Sequence, residues 1–325
     1  MSERKTDSPL LEVKGLKKYF VTKSGKGKTV IQALNGISFK VYAGETFGIV
    51  GESGCGKTTA GRVISCLTEA TGGEVLFQGR NLFQMSKKEI KKIRKEIQMI
   101  FQDPFASLDP RMTIGKIIEE PLIIHKISDR TGRKKMVLEM LERVGLQPEY
   151  YSRYPHEFSG GQRQRIGIAR ALILKPKLVI CDEPVSALDV SVQSQILNLL
   201  NDLQDELGLT YIFIAHGLNV VQHISDRIGV MYLGKMVETI TKDNLFEHSA
   251  HPYTKALLSA NPIPDPEVSH ERIILKGDIP SPANPPKGCF FHTRCRMCQE
   301  ICKEKEPPVR QNGEEMVACH FPIER

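Results

Sequence analysis

Short apolar runs along this chain alternate with segments whose apolar positions recur at helical spacing. The runs at Thr46–Val50, 178–181 and 210–215 have the length and composition of buried strands. The helical segments associated with them are 58–67, 162–174 and Val190–Leu207. This alternation predicts an α/β fold in which helices flank a mostly parallel sheet.

A different pattern interrupts the alternation in the first half of the chain. Residues 74–78 and 97–102 predict two further strands, whereas apolar spacing over Ile114–Ile124 and 136–144 predicts helices. We therefore expect an inserted helical subdomain at about 103–160. The rest of the first third is predicted to consist of short strands around a strand–loop–helix unit.

The composition changes beyond His251, where prolines and cysteines accumulate. The prolines predict a stiff, loop-rich tail; they are Pro262, Pro264, Pro266, Pro280, Pro282, Pro285 and Pro286. Five of the eight cysteines follow: Cys289, Cys295, Cys298, Cys302 and Cys319. We predict a large domain at 10–252 and a small extension at 253–325 that forms a metal-cluster module.

The spacing of these cysteines leaves the metal open. A cysteine cluster in a cytosolic protein favours a metal over disulfides. Cys295 and Cys298 have the spacing of a zinc knuckle, although the other spacings fit no common zinc finger. Four thiolates can also hold an iron–sulfur cluster. Separate free thiols are the less favoured alternative, because the cysteines lie so close together in sequence.

Charge and hydropathy limit the partners that this chain can have. The net charge is +7, but lysines interleave with acids in runs such as 87–96, which is typical of a solvated surface. No run approaches the ~18 apolar residues of a membrane-spanning helix. Residues 1–9 lack the apolar stretch of a signal peptide. We expect a cytoplasmic protein that reaches a membrane only through a partner, and we expect no nucleic-acid partner.

The segment after the first predicted strand fits the phosphate-binding pattern G-x-x-x-x-G-K-[ST]. With one following residue it reads Gly51, Glu52, Ser53, Gly54, Cys55, Gly56, Lys57, Thr58 and Thr59. The glycines let backbone N–H groups converge on phosphate oxygens, and the next helix adds the positive end of its dipole. Lys57 should neutralise the β- and γ-phosphates, and the Thr58 hydroxyl should ligate Mg²⁺.

Two carboxylates, Asp182 and Glu183, follow the apolar run 178–181. Asp182 can reach Mg²⁺ directly or through its hydration shell, and Glu183 can orient or deprotonate the water that attacks the γ-phosphate. An apolar run that ends in two acidic residues is weak evidence for a hydrolysis site by itself. Together with the phosphate-binding loop, it predicts hydrolysis of a nucleoside triphosphate.

A second anion-binding pattern precedes the helical segment at 162–174. It comprises Phe158, Ser159, Gly160, Gly161 and Gln162. A serine and two glycines before a helix present N–H groups that suit a phosphate. From the residues alone, one ATP could use both loops, or each loop could serve a different ATP.

In order and spacing these motifs resemble those of the ABC ATPases, whose signature Leu-Ser-Gly-Gly-Gln is matched at 158–162 with Phe158 in place of leucine. The resemblance covers nearly the whole chain. It extends to the Q-loop glutamine Gln102, the D-loop at 186–189 with Asp189, the switch histidine His216, and Phe20 or its neighbour Tyr19 as the ring that stacks on adenine. It implies a P-loop NTPase core with an N-terminal antiparallel β-subdomain and the inserted helical subdomain.

The resemblance to the ABC ATPases also implies a mechanism. Two subunits would associate head to tail, so that Ser159 and Gly161 of one subunit close over ATP held by Lys57 of the other. Hydrolysis of ATP would separate the two subunits, so that the reaction drives a conformational change. The implied catalytic residues are Glu183, His216 and Gln102, and the implied Mg²⁺ ligands are Thr58, Gln102 and Asp182.

Two positions depart from the pattern of the ABC ATPases. Gly217 follows the switch histidine where relatives usually carry Asp, and Val185 stands where they usually carry Thr. Neither change removes a phosphate, metal or base ligand. We therefore expect the activity to survive, at a rate that these changes can alter.

The tail resembles the C-terminal extension of the oligopeptide/dipeptide permease ATPases. The similar segments are 102–108, 251–254, 288–295 and 317–320. In that subfamily the resemblance implies a 4Fe–4S cluster, held here by Cys289, Cys295, Cys302 and Cys319, with Cys298 spare. We expect the cluster to act as a structural staple, because so short a tail can bury little apolar core of its own.

The same resemblance implies an importer that takes up di- and oligopeptides. The chain would lie at the cytoplasmic face of the cell membrane and pair with a similar but non-identical ATPase, two transmembrane permeases and an extracytoplasmic substrate-binding protein. The subfamily also includes importers of nickel and other small solutes, so peptide is an inference at one remove.

Two other functions are less favoured. A soluble ABC ATPase that acts on DNA or ribosomes generally carries two cassettes or long coiled coils, and this sequence shows neither. An iron–sulfur regulator that only binds ATP would not need Asp182, Glu183 and His216.

Overall fold

The computed structural model describes residues 8–24, 27–260 and 272–323. Residues 1–7 of the polar N-terminus, and Pro262, Pro264 and Pro266 of the predicted loop-rich tail, lie outside the described residues.

Strands and helices alternate through most of the described ranges, which contain twelve strands and ten α-helices. The strands are β1 (Leu11–Ser24), β2 (Gly27–Val41), β3 (Thr46–Val50), β4 (Gly72–Phe77), β5 (Arg80–Asn81), β6 (Ile97–Ile100), β7 (Leu178–Asp182), β8 (Thr210–Ile214), β9 (Arg227–Tyr232), β10 (Lys235–Thr241), β11 (Val309–Asn312) and β12 (Glu315–Ala318). The helices are α1 (Lys57–Ile64), α2 (Lys87–Glu96), α3 (Ile114–Ile124), α4 (Arg130–Arg143), α5 (Gly160–Leu172), α6 (Val190–Leu207), α7 (Leu218–Ile224), α8 (Leu245–His248), α9 (Pro252–Ser259) and α10 (Glu300–Glu304). Short 3₁₀ helices occur at Leu82–Gln84, Pro148–Ser152 and Pro155–Glu157.

The chain forms two compact units, and the first contains 42–45 and 84–214. Its strands β6, β7 and β8 run parallel, with Ile97 opposite Leu178 and Leu178 opposite Thr210. Every residue of β7 and β8 is buried. Continuous apolar runs of this kind are typical of parallel strands that are covered on both faces. The parallel part of the predicted α/β fold is therefore confirmed.

Helices α3 and α6 of this unit have the bounds that their apolar spacing predicts. Helix α6 begins after Asp189, whose carboxylate accepts the N–H of Val192, and it ends at Gly208, which has a φ of 64°. Both features are standard helix ends. Helix α4 begins at Arg130, six residues before the predicted start, because Asp129 caps it by accepting the N–H of Gly132.

The charged run 87–96 also belongs to this unit and forms helix α2, which the apolar spacing did not predict. Its N-terminus is a capping box: the Ser86 hydroxyl accepts the N–H of Glu89, and the Glu89 carboxylate accepts the N–H of Ser86. Ile93 is the one residue of this helix recorded as buried. Ile90 is half-buried on the same face as Ile93, so a narrow apolar stripe supports the helix together with its cap.

The second unit contains an antiparallel sheet of strand order β2-β1-β4-β5. Strands β1 and β2 are 14 and 15 residues long, so the prediction of short strands in the first third was wrong. The β1–β2 register shifts three times between Val13 and Tyr19. Such bulges let a long strand twist and continue. Where β1 and β2 approach the turn that joins them, Phe20, Val21 and Val30 are exposed. The sequence there lacks the alternation of buried apolar and exposed polar residues that would have indicated long strands.

A mixed sheet completes the second unit. Strand β3 runs parallel to β9, and β10 runs antiparallel to both β9 and β12. The hairpin of β11 and β12 belongs to the cysteine-rich tail and continues this sheet, with Val317 opposite Glu238. Tail and sheet also share a buried aromatic cluster, in which the rings of Tyr232, Tyr253 and Phe291 lie 4.9–5.2 Å apart.

Across the described ranges, no helix combines the length and the apolar character that crossing a membrane requires.

Candidate nucleotide-binding and hydrolysis site

Strand β3 leads into the phosphate-binding loop, and Lys57 is the first residue of helix α1. Gly51 and Gly56 have φ values of 154° and 105°. A Cβ at Gly51 would lie 2.1 Å from the carbonyl oxygen of Met231, and one at Gly56 would lie 2.3 Å from that of Ala33. Both positions therefore require glycine, and the tight packing fixes the path of the loop.

The side chain of Lys57 curls over this loop. Its Nζ donates to the carbonyl oxygens of Gly51 at 2.7 Å and Glu52 at 3.2 Å, and the residue is 4% exposed. Burial raises the pKa of the Cys55 thiol, although Lys57 opposes the effect. Lys57 is thus the cation that this loop holds close to its own backbone, beside a neutral thiol.

The remaining loop residues are open to a ligand. Ser53 and Gly54 are exposed, and Thr58 and Thr59 are half-buried in the first turn of α1. Helix α1 ends at Ile64, three residues before the predicted end, and Cys66 follows with a φ of 56°. The structure therefore brings the predicted residues 51–59 together at one helix N-terminus, which suits an anion.

Asp182 and Glu183 lie at the end of β7 in the first unit, where they are 2% and 5% exposed. Glu183 has a φ of 50°, a conformation that costs energy for a residue with a side chain. Its N–H donates to the carbonyl oxygen of Ile214 on the neighbouring strand at 3.0 Å. Strain of this kind, held in place by a strand bond, is common where a side chain must keep one orientation.

Gln102 lies two residues beyond the end of β6, which stops at Ile100 and not at 102 as predicted. Its Nε2 donates to Oε2 of Glu183 at 2.7 Å. Because β6 and β7 are neighbouring parallel strands, their carboxyl ends meet at one edge of the sheet. The topology thus pairs two residues that are 81 positions apart in the sequence.

Ser159 is the N-cap of α5 and forms a capping box with Gln162. The Ser159 hydroxyl accepts the N–H of Gln162 at 3.3 Å, and Oε1 of Gln162 accepts the N–H of Ser159 at 3.0 Å. Ser159 is nevertheless exposed. A Cβ at Gly161 would lie 2.5 Å from Cγ1 of Val192, so the loop packs directly on α6.

The D-loop lies next to the signature loop. Leu188, which precedes Asp189 in the sequence, packs against Gly160: a Cβ added at Gly160 would be 3.4 Å from the Leu188 side chain. Hydrogen bonds from the Ser191 hydroxyl and from the N–H of Val192 lower the pKa of the Asp189 carboxyl. The first unit therefore brings the predicted signature loop and D-loop together. Gly160 of the signature loop is also the first residue of α5.

The other two predicted nucleotide contacts belong to the second unit. His216 is exposed and precedes Gly217, the N-cap of α7. The ring of Phe20 is 39% exposed on β1, with the Nζ of Lys18 4.9 Å from its centroid. The hydroxyl of the alternative residue, Tyr19, donates to Asn35 at 3.0 Å. Of these two rings, Phe20 is the more accessible for stacking.

Four cysteines line one small cavity of about 20 Å³ in the second unit: Cys289, Cys295, Cys302 and Cys319. Burial raises the pKa of both Cys289 and Cys295 to about 11. Cys298 is not among the described residues that line the cavity. The structure thus groups the four predicted cluster ligands and leaves out the predicted spare. In the described part of the chain, no three or more His, Cys, Asp or Glu side chains are arranged to hold a metal ion.

One contact of the phosphate-binding loop was not predicted. Glu52 pairs with Arg294, and its N–H donates to the hydroxyl of Tyr253 at 3.0 Å. Glu52 occupies a variable position of the loop pattern, and Arg294 is 242 residues away. The sequence contains no local signal that joins such distant positions.

Two family models match this chain. The model described as ABC transporter matches residues 34–186, and the model described as oligopeptide/dipeptide transporter, C-terminal region, matches residues 237–302. The first match includes the phosphate-binding loop, the signature loop and Glu183. The second includes Cys289, Cys295 and Cys302.

Curated relatives match almost the full length. The oligopeptide transport ATP-binding protein AppF of Bacillus subtilis is 54% identical over 96% of this chain and 97% of its own length. The chain belongs to the ABC transporter ATP-binding proteins that carry the oligopeptide/dipeptide transporter C-terminal region. The dipeptide transport ATP-binding protein DppF of Escherichia coli is 50% identical over 98% of this chain and 96% of its own length.

Solved structures of ABC ATP-binding cassettes share the fold. A dimeric structure of the cassette MJ0796, in a post-hydrolysis state with ADP and phosphate, is 31% identical, with a TM-score of 0.64. The match covers 71% of this chain and 98% of that one. The predicted ABC ATPase fold and the prediction of an ATP-hydrolysing enzyme are therefore confirmed.

Proposed function

We infer that this ABC ATP-binding protein drives the import of di- and oligopeptides. The observation that carries the inference is the match to peptide-transport ATP-binding proteins at 50–54% identity over both the cassette and the tail. Nickel and other small solutes remain alternative substrates, because the solute is chosen by a separate binding protein.

The chemistry of the site follows from groups that lie at or just beyond the ends of strands β3, β6, β7 and β8, and from a ring on β1. Lys57 and several backbone N–H groups of the loop at 51–58 bind the phosphates of ATP, and the Phe20 ring stacks on adenine. Glu183, oriented by Gln102, directs the attacking water toward the γ-phosphate, with His216 as a second catalytic group. Thr58, Gln102 and Asp182 would hold Mg²⁺, which supplies charge neutralisation on the phosphate oxygens.

Association and location extend the same inference. Ser159, Gly161 and Asp189 would complete the ATP site of a second ATPase subunit in a head-to-tail dimer, and that subunit is similar but not identical. Two transmembrane permeases and an extracytoplasmic binding protein complete the importer, with this chain peripheral on the cytoplasmic face of the cell membrane. The cassette corresponds to 10–252, with its helical subdomain at about 103–160, and the extension corresponds to 253–325.

We propose that the four cysteines lining the cavity hold a 4Fe–4S cluster, with a zinc ion as the alternative. A single zinc ion would draw four sulfurs to within about 4 Å of one another, since each Zn–S bond is about 2.3 Å long. In a 4Fe–4S cluster each thiolate would bind a different iron, so the four sulfurs could lie further apart than around one zinc ion. Cys289, Cys295, Cys302 and Cys319 would hold it, and the cluster would join the tail segments around a small core.

A trapping experiment tests the importer. The Glu183→Gln variant should bind Mg-ATP without turning it over, so that the closed complex survives solubilisation of the membranes of the source organism. We expect two permeases and a sister ATPase to co-purify with it, and the associated binding protein then identifies the solute. Glu206→Gln is the matched control, because Glu206 forms only an exposed ion pair with Arg143 on the same unit. Recovery with ribosomes or DNA in the soluble fraction would contradict the importer.

A further inference from the structure

Arg294, in the cysteine-rich tail, contacts the phosphate-binding loop directly. Its Nη1 donates to Oε2 of Glu52 at 2.6 Å, and its Nη2 donates to Oε1 at 3.0 Å. The side chains of Arg294 and Glu52 are 8% and 24% exposed. Two parallel bonds of this kind fix the orientation of a carboxylate as well as its charge, and lysine cannot reproduce them.

The backbone of Glu52 is held as firmly as its side chain. Its N–H donates to the Tyr253 hydroxyl at 3.0 Å, and its carbonyl oxygen accepts a hydrogen bond from Lys57 at 3.2 Å. The Tyr253 ring lies 5.2 Å from that of Phe291, three residues before Arg294. Arg294 and the Tyr253 hydroxyl, which hold Glu52 from beyond residue 252, belong to one packed cluster, whereas Lys57 and the N–H of Cys55 hold it from within the loop.

The charge of Glu52 connects its contact with Arg294 to the binding of ATP. Glu52 follows the first glycine of a loop whose N–H groups and Lys57 attract phosphate. A carboxylate within the same loop opposes that attraction, and the opposition grows with the number of phosphate charges. The guanidinium of Arg294 neutralises this carboxylate and holds it in one orientation, which preserves the attraction for the most highly charged ligand.

We propose that Arg294 is a positioning residue for ATP binding, which acts by neutralising and anchoring Glu52 from the cysteine-rich tail. This inference deepens the proposed function and rests on it. It makes the tail a part of the nucleotide site and a determinant of the preference for ATP over ADP.

Calorimetric titration of the purified full-length chain with Mg-ATP and with Mg-ADP tests this role. Arg294→Gln should raise the Kd for Mg-ATP about tenfold and that for Mg-ADP about threefold, because the uncompensated Glu52 charge repels ATP more strongly. Glu52→Gln should not raise either value, because it removes the negative charge and leaves the guanidinium of Arg294, which attracts phosphate. The double variant Glu52→Gln/Arg294→Gln removes both charges and should return to within about threefold of the wild-type affinities.

Arg296→Gln is the matched control. Arg296 lies two residues further along the same segment, is exposed, and donates to the carbonyl oxygen of Ile274 at 3.2 Å. Arg294→Gln affinities that equal those of Arg296→Gln, or an equal loss for both nucleotides without recovery in the double variant, would overturn the inference. If Arg294→Gln does not fold, the double variant decides: a Kd for Mg-ATP about tenfold or more above that of the wild type overturns the role. A wild-type chain that binds neither nucleotide would instead contradict the proposed function.

Discussion

The carboxylate of Glu183 accepts a 2.7 Å hydrogen bond from the side-chain amide of Gln102. Glu183 ends a buried strand with a φ of 50°, and Gln102 follows the neighbouring strand. The pair therefore joins a rigid sheet edge to the loop that leads into the helices of the first unit. A change in the Gln102 loop would reach the carboxylate of Glu183 through this hydrogen bond.

Glu183→Gln should lower the turnover of ATP about 10²–10⁴-fold, because a neutral amide cannot act as a base toward the attacking water. The Kd for Mg-ATP should stay within about threefold of wild type, since the shape is kept. Phosphate release and equilibrium nucleotide binding measure the two quantities. Near-normal turnover would show that another group activates the water.

Gln102→Ala should lower kcat about ten- to a hundredfold while the KM for ATP changes little. The reason is that the carboxylate of Glu183 loses the donor that orients it. Steady-state kinetics of the purified chain separate the two constants. Gln98→Ala is the control, because the Gln98 amide donates to the carbonyl oxygen of Arg94 and not to a catalytic residue. An equal effect of the two variants would contradict the orienting role.

Lys57→Ala should weaken Mg-ATP binding about a hundredfold or more, since the variant loses charged hydrogen bonds to phosphate oxygens worth about 1.5–3 kcal/mol each. Binding is measured by calorimetry, with thermal unfolding to establish that the variant folds. Lys87→Ala, at an exposed position of α2, should bind as wild type does. An intact affinity in Lys57→Ala would remove this lysine from the phosphate site.

Cys289→Ser and Cys298→Ser should differ sharply in metal content. Cys289 lines the cavity shared by four thiols, whereas Cys298 is not among the described residues that line it. After anaerobic purification we expect iron and acid-labile sulfide in the wild type and in Cys298→Ser, and a loss of both in Cys289→Ser. Stoichiometric zinc without sulfide in the wild type would contradict the iron–sulfur assignment.

The cap at Asp189 should make the free energy of unfolding depend slightly on pH in the acidic range. Hydrogen bonds from Ser191 and Val192 lower the pKa of Asp189 in the folded chain, so the unfolded chain binds the proton first as the pH falls. The stabilisation is therefore complete above the unfolded pKa of ~3.9 and is lost as the pH drops through the folded pKa. Between about pH 5 and about pH 3, Asp189→Asn should lose less stability than wild type.

Local patterns located many elements of this fold, and the misses have physical causes. Helices α3 and α6 matched their predicted bounds, because apolar spacing and caps such as Asp189 are encoded within a few residues. Helix α2 was missed because its lysine-rich run carries only two apolar residues, Ile90 and Ile93, which form a weak pattern. The length of β1 and β2 was missed because bulges and exposed residues such as Val21 break the alternation.

By itself, the sequence determined the chemistry of the candidate site. The phosphate-binding loop needs glycine at 51 and 56 and a lysine at 57, and each of these requirements is local, since it follows from backbone conformation and charge at adjacent positions. The motif order likewise marked the ABC ATPases, which the relatives confirm.

The tertiary structure alone decided which distant residues meet. Gln102 reaches Glu183 because two parallel strands end at the same edge, and Arg294 reaches Glu52 because the tail packs its aromatic residues beside the loop. No periodicity or spacing encodes such pairs, since each depends on packing between segments that lie 81 and 242 residues apart.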